Sequence, residues 1–230
     1  MVSAILLAAG LSRRLNLSVS KPLIKIGKQP ILIYSLKQLN RHPDIGEIIV
    51  VVNARNKAAI TRSIKPYRFK KIKPLVLGGT RRQDSVYNGL KAIDKNSRWV
   101  LIHDSARPFI EFNAITEVIK QAKKYNAAIL GVRPKATIKL SDTFNMVSKT
   151  LDRDKLWEIQ TPQVFRKKLL LKAYSKYAKE NFTDDAGLIE KLGAKVKLVL
   201  GSYANMKVTT GEDLLLAALI IKKESAWNIK

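Results

Sequence analysis

The chain has 230 residues, 46% of them hydrophobic, with 43 Lys and Arg against 18 Asp and Glu, a formal charge of +25. That supports one buried core with a small excursion and excludes a disordered chain. The lack of cysteine excludes disulfides, thiolate zinc sites and cysteine nucleophiles, and two histidines, His42 and His103, are too few for a histidine metal cluster.

The first element is an apolar strand at Ala4–Ala8 that runs into Ala9-Gly10. Small residues there let a ligand approach the backbone, and Arg13, Arg14 and Lys21 bring fixed positive charge to the following loop. Backbone donors, space and cations are what a polyphosphate needs. Neither a Gly-x-x-x-x-Gly-Lys-Ser/Thr loop nor a Gly-x-Gly-x-x-Gly turn is present, so the motif alone names no family. The apolar segment lacks a basic leader, and no apolar run is long enough to cross a bilayer, so a cytoplasmic location is expected.

A helix is predicted over Ile31–Asn40, a strand over Glu47–Val52 and a helix over Lys57–Ile64. A strand at Pro74–Leu77 ends in Gly78-Gly79-Thr80 and leads into a helix over Gln83–Ile93, where Val86, Leu90 and Ile93 recur at helical spacing. The strand Trp99–His103 ends in Asp104-Ser105-Ala106-Arg107-Pro108. A helix over Ala114–Tyr125 and a strand over Ala127–Val132 follow. The alternation predicts an α/β fold with a doubly wound, mostly parallel sheet.

Residues 133–157 break the alternation. Ala136–Leu140 and Met146–Leu151 flank the turn-like Ser141-Asp142-Thr143, which predicts a projecting hairpin. An isolated hairpin cannot bury both faces, so a homodimer is expected. Helices over Lys168–Lys179, Ala186–Leu192 and Asp213–Lys222 and a strand over Lys195–Leu200 complete a single domain of residues 1–223, with a tail at 224–230. The lysines are spread along the chain, as in Lys70-Lys71, Lys123-Lys124 and Lys167-Lys168. That spread fits compositional bias plus steering of an anionic small substrate better than a dedicated nucleic-acid surface.

In open parallel sheets, ligands bind at the carboxyl ends of the strands. The polar segments above fall at those ends, joined by Thr161-Pro162-Gln163, Thr183-Asp184-Asp185-Ala186 and Asn205-Met206-Lys207-Val208-Thr209. Each alone reads as a turn, a cap or a structural ion pair. Together they suit a nucleotide, a phosphate and a divalent cation.

The ordered set closely resembles the 2-C-methyl-D-erythritol 4-phosphate cytidylyltransferase family. It comprises Ala8-Ala9-Gly10, Arg14, Lys21, Gly78-Gly79-x-x-Arg82-Gln83-Asp84-Ser85, His103-Asp104-Ser105-Ala106-Arg107-Pro108, Thr137, Asp152-Arg153, Gln160-Thr161-Pro162-Gln163, Thr183-Asp184-Asp185-Ala186 and Asn205-Met206-Lys207-Val208-Thr209. The resemblance implies a Rossmann-like domain that joins CTP to methylerythritol phosphate and releases pyrophosphate. It implies Arg14, Lys21, Arg153 and Lys207 as catalytic groups. It implies CTP binding by Ala8, Ala9, Gly10, Ser12, Gly79, Thr80, Ser85 and Asp104, with Asp104 beside a magnesium ion. It implies acceptor binding by Arg107, Thr137, Arg153, Thr161, Thr183 and Lys207, with the arm completing the neighbouring subunit's site. Ser12 stands where the family commonly has glycine. A cytidylyltransferase for another polyol phosphate, such as ribitol 5-phosphate, is the near alternative. A catalytically inactive, basic RNA-binding protein is the distant one.

Overall fold

The computed structural model describes residues 1–10 and 20–227. The chain begins with β1 (Val2–Ala8), a small hairpin of β2 (Lys25–Ile26) and β3 (Gln29–Pro30), and α1 (Ile31–Arg41). Next come β4 (Ile45–Val52), α2 (Lys57–Ile64), β5 (Val76–Leu77), α3 (Arg82–Ala92), β6 (Trp99–Asp104), α4 (Phe112–Tyr125) and β7 (Ala127–Val132). The arm follows as β8 (Lys139–Ser141) and β9 (Val147–Thr150). The chain closes with β10 (Glu158–Arg166), α5 (Lys167–Tyr177), α6 (Asp185–Lys191), β11 (Lys197–Leu200) and α7 (Gly211–Trp227).

Seven strands form one sheet in the order β11-β7-β10-β6-β1-β4-β5. All its pairings are parallel except those of β10, which runs antiparallel to both β6 and β7. β10 is the large element for which the sequence pattern predicts no strand. Pro162 near its middle cannot donate to a ladder, which argues against a central strand. The sheet accommodates it by a register shift between Ile159 and Gln163 against β7, and the Thr161–Pro162 peptide is cis.

The central strands bury both faces, as a doubly wound sheet requires. Ala4, Leu6 and Ala8 of β1 and Ile48, Val50 and Val52 of β4 face one cluster, shared with α1, α2 and α4. Ile5, Ile49 and Val51 face the opposite cluster, shared with α3, α5 and α6. This strict alternation locks the register, because a one-residue slip would exchange the two faces. The parallel pairing places the carboxyl ends of β1, β4, β5 and β6 on one edge, where the polar segments collect, and those of β7 and β11 likewise point one way. A third cluster of Ile26, Ile31, Phe109, Val208 and Ala217 ties α7 and the β2–β3 hairpin to the body.

The arm pairs β8 with β9 in antiparallel fashion. The Asp142 carboxylate accepts the N–H groups of Phe144 and Met146, which closes its turn. Leu140, Phe144, Met146 and Val147 are all more than half exposed in the single chain. At the arm's base, Arg153 donates to the Lys135 carbonyl at 3.1 Å, and Arg133 donates to the Leu156 carbonyl and stacks on Trp157.

Candidate active site

Two chambers open at the carboxyl edge of the sheet. The first, about 620 Å³, lies over the ends of β1 and β6 and the loop after β5. Ala8, Ala9, Gly10, Lys21, Gly79, Thr80 and Ser85 line it. The second, about 880 Å³, lies over β7 and β10, bounded by Thr183-Asp184 before α6 and by the segment from the end of α6 into β11, with Arg107 and Thr161 also in its wall. Arg82, Asp104 and Lys207 line both. These three charged side chains are therefore the junction of the two spaces.

Backbone packing shapes the first chamber. β1 ends in Ala8, and two asparagines hold the backbone at Ala8 and Ala9. Asn56 donates to the Ala8 carbonyl and to the Ser20 hydroxyl, both at 2.9 Å, and Asn53 donates to the Ala9 carbonyl at 2.9 Å. Asn53 and Asn56 also accept each other's backbone N–H. One short segment after β4 thus holds Ala8, Ala9 and Ser20 together. Lys21 opens a 3-10 turn with Pro22, whose fixed φ suits that position.

The opposite wall needs glycine for space. A Cβ on Gly78 would sit 2.6 Å from Ser85 Oγ and 2.8 Å from Ala9 Cβ. A Cβ on Gly79 would sit 2.4 Å from Asp84 Cβ. Ser85 Oγ in turn accepts the Gly79 N–H at 3.1 Å. The N-terminus of α3 is fixed here by Arg81, whose backbone N–H and guanidinium both bond Asp84 and whose guanidinium also reaches the Ala178 and Glu180 carbonyls. The free N–H groups of a helix start favour an anionic ligand.

At the junction, Asp104 Oδ1 accepts from Arg82 Nε at 3.2 Å, and Oδ2 accepts from Lys207 Nζ at 2.6 Å. Burial alone would push this carboxyl up. The charges of Arg82 and Lys207 outweigh burial and hold it well below the usual carboxylate range. Arg82 Nη1 also donates to the buried Asp185 at 2.7 Å, and Tyr174 Oη donates to Asp185 at 2.7 Å. Cations and anions alternate along Asp185, Arg82, Asp104 and Lys207, so each charge has a partner.

A second chain of bonds lies beneath. The Asp104 N–H donates to Thr161 Oγ1 at 3.1 Å, and Thr161 Oγ1 lies 3.0 Å from His103 Nδ1. His103 Nε2 lies 3.1 Å from the Arg107 carbonyl. A carbonyl can only accept, so Nε2 carries the proton and Nδ1 accepts the threonine O–H. Burial lowers the His103 pKa to about 4, so the ring stays neutral. Thr161 lies in the wall of the second chamber with its hydroxyl engaged on both sides.

Arg107 donates to the Asn205 carbonyl at 2.8 Å and to the Ile159 carbonyl at 3.2 Å. Its Nε and Gln163 Oε1 are buried without a hydrogen-bond partner among the described residues. Arg107 also forms no ion pair among those residues. It is a half-buried cation beside a polar chamber, suited to an anion with hydroxyl groups.

Most of the residues singled out in the sequence come together here. Ala8, Ala9, Gly10, Lys21, Gly79, Thr80, Ser85 and Asp104 surround the first chamber, and Arg107, Thr161, Thr183 and Lys207 the second. Thr137 and Arg153 line neither chamber of their own chain. Ser12 and Arg14 lie outside the described residues. Sequence reasoning assigned no role to Asn53, Asn56, Asp185 or Arg82. The pair Asn53 and Asn56 directly after a strand was the available signal for the first two.

No group of three or more His, Cys, Asp or Glu side chains among the described residues could hold a metal ion unaided. The one carboxylate at the junction, Asp104, already accepts from Arg82 and Lys207, so a cation there would have to arrive with substrate phosphates, the usual arrangement for Mg²⁺.

The family model for 2-C-methyl-D-erythritol 4-phosphate cytidylyltransferase (IspD) matches residues 2–223. A relative of that name from Caldanaerobacter subterraneus subsp. tengcongensis is 45% identical, covering 96% of this chain and 99% of the relative. Another from Clostridium tetani is 43% identical, covering 96% and 90%. The crystal structure of 4-diphosphocytidyl-2C-methyl-D-erythritol synthase from Anaerococcus prevotii superposes with a TM-score of 0.86 at 36% identity, covering 96% of each chain. That of IspD from Francisella tularensis gives 0.79 at 33% identity, covering 94% and 97%. With two chambers that share a charged junction, and with sequence and fold both matched over almost the whole length, this chain belongs to the 2-C-methyl-D-erythritol 4-phosphate cytidylyltransferase family.

Proposed function

We propose that the chain transfers CMP from CTP to 2-C-methyl-D-erythritol 4-phosphate in non-mevalonate isoprenoid precursor synthesis. The products are 4-diphosphocytidyl-2-C-methyl-D-erythritol and pyrophosphate. The observation that carries this reading is the pair of chambers meeting at Arg82, Asp104 and Lys207. A transfer between two phosphorylated substrates needs two spaces with one common boundary, and positive charge at that boundary.

CTP occupies the first chamber, its phosphates toward Gly10 and Lys21 and its base toward Gly79, Thr80 and Ser85. The acceptor occupies the second, where Arg107, Thr183 and Lys207 meet its phosphate and hydroxyl groups. A phosphate oxygen of the acceptor attacks the α-phosphorus of CTP. The new P–O bond forms as the bond to pyrophosphate breaks, and the electron pair leaves with pyrophosphate. That oxygen is anionic near neutral pH, so no general base is needed, in keeping with a neutral, buried His103. Catalysis rests on orientation and charge stabilisation. Lys21 and Arg14 stabilise charge on the α-phosphate and the leaving group. Lys207 orients the acceptor phosphate.

Asp104 is the residue that would hold a divalent cation, magnesium by its oxygen chemistry, together with the triphosphate. When bound, that ion neutralises phosphate charge. The working unit is a homodimer in which Thr137 and Arg153 of the arm serve the neighbouring site. The bare apolar side chains of the arm support this, since both of its faces stay exposed in one chain. No helix among the described residues is long and apolar enough to cross a membrane. On this reading the protein works in the cytoplasm, where CTP is available.

The test is pyrophosphate release by purified protein with CTP and methylerythritol phosphate, alongside Lys21→Ala and Arg14→Ala variants. Each variant is expected to lose on the order of 10²–10³ in turnover, as for loss of one preorganised charge stabiliser. Variants as active as the wild type would overturn these roles.

A further inference from the structure

We infer that Arg82 is a positioning residue for the transfer: it fixes the Asp104 carboxylate at the boundary of the two chambers and thereby leaves Lys207 available to the acceptor. The inference rests on the cytidylyl-transfer reading and adds to it a residue that directs the two charges at the junction.

Three observations carry it. Arg82 lines both chambers and is the first residue of α3, whose start is fixed by the Arg81 bonds described above. Its guanidinium links two other elements, donating from Nε to Asp104 of β6 and from Nη1 to Asp185 of α6. Asp185 is 1% exposed and is held in turn by Tyr174, also 1% exposed, whose ring stacks on Tyr87. The anchor behind Arg82 is therefore set in the core.

The two cations on Asp104 differ. Arg82 is gripped from behind by Asp185. Lys207 sits on a flexible stem, its side chain is 39% exposed, and Asp104 is the only carboxylate it pairs with among the described residues. A planar guanidinium fork can hold two carboxylates at once, which a lysine ammonium on a single stem matches poorly. With the fork in place, one Asp104 oxygen stays pinned and only the other meets Lys207. Without it, the carboxylate is free to turn and the ammonium holds it alone. Lys207 is then drawn away from the acceptor, and the carboxylate loses its aim toward the first chamber. Arg82 has five N–H donors. Two are used, so the rest have no protein acceptor among the described residues.

The experiment compares wild type, Arg82→Lys, Arg82→Met and the double variant Arg82→Met/Asp185→Asn by steady-state pyrophosphate release and by melting temperature. Arg82→Met leaves Asp185 buried without its cation, so it is expected to melt lower and to lose roughly 10–100-fold in kcat, the usual cost of removing a residue that orients a site ligand. The double variant removes the stranded carboxylate. It is expected to regain most of the melting temperature while kcat stays low. Arg82→Lys, which keeps the charge, is expected to fold and to lose at least roughly 10-fold in kcat, with KM for CTP changed less than kcat. Recovery of kcat together with stability in the double variant would show a merely structural arginine and overturn the inference. So would a fully active Arg82→Lys. A wild type inactive with CTP and methylerythritol phosphate would instead overturn the underlying reading, and this inference with it.

Discussion

Replacing Thr161 by valine tests how the junction is built. Thr161 is 5% exposed and His103 is fully buried, so water cannot replace the hydroxyl easily. Valine keeps the shape and removes the oxygen. The Asp104 N–H then loses its acceptor, and His103 Nδ1 loses its donor. A tautomer change does not rescue the ring, because Nε2 must keep its proton for the Arg107 carbonyl. One buried unsatisfied group costs about 1–3 kcal/mol, so two give about 2–4 kcal/mol after some relaxation. For a chain of this size each kcal/mol moves the melting midpoint by roughly 2–4 °C, so Thr161→Val is expected to melt roughly 5–15 °C lower. Thr161→Ser keeps the oxygen and is expected to stay within about 1 kcal/mol of wild type, the order of a small buried deletion. Thermal unfolding with pyrophosphate-release kinetics reads both effects. If Thr161 instead served the acceptor directly, valine would raise the acceptor KM and leave the midpoint in place. That result, or a serine variant as unstable as valine, would refute the positioning role.

Three other outcomes are expected. The buried His103 titrates near pH 4 in the fold against 6.5 in the unfolded chain, so its contribution is complete above about pH 6.5 and is lost as pH falls towards 4. The loss amounts to about 3 kcal/mol for this one group, and melting between pH 7.5 and 4.5 should be steeper for wild type than for His103→Gln; equal slopes would contradict it. Gly79→Ala places a methyl 2.4 Å from Asp84 Cβ, so the loop after β5 must move. Its kcat/KM for CTP should fall by up to about 100-fold, the cost of a misplacement of about 1 Å, while KM for the acceptor stays near wild type; an equal loss for both substrates would place the damage elsewhere. Mixed dimers of Arg153→Ala and Lys21→Ala subunits should recover activity at one of two sites if the arm serves its neighbour, and no recovery after confirmed subunit exchange would refute that.

The sheet was legible because its strands are short apolar runs between helical patterns, and their two-face alternation leaves one register. β10 was not. Its Gln-Thr-Pro-Gln centre reads as a turn or a site, and only the tertiary structure shows that it fills the gap between β6 and β7. The charged residues at the strand ends could be gathered from topology alone, because parallel strands place their carboxyl ends on one edge. Their pairings could not. Arg82 and Asp185 are 103 residues apart, and no local pattern joins them. Asn53 and Asn56 look like ordinary turn residues until Ala8, Ala9 and Ser20 are brought beside them. Thr161 matched a family position, but its partners His103 and Asp104 only become visible when β10 lies against β6.

Transfer of CMP from CTP to methylerythritol phosphate releases one pyrophosphate per turnover. The most direct test measures pyrophosphate release by the purified protein with CTP and a divalent cation, with methylerythritol phosphate and ribitol 5-phosphate supplied in parallel. Release is expected to be rapid and acceptor-dependent with methylerythritol phosphate. Faster release with ribitol 5-phosphate, or none with either, would contradict it.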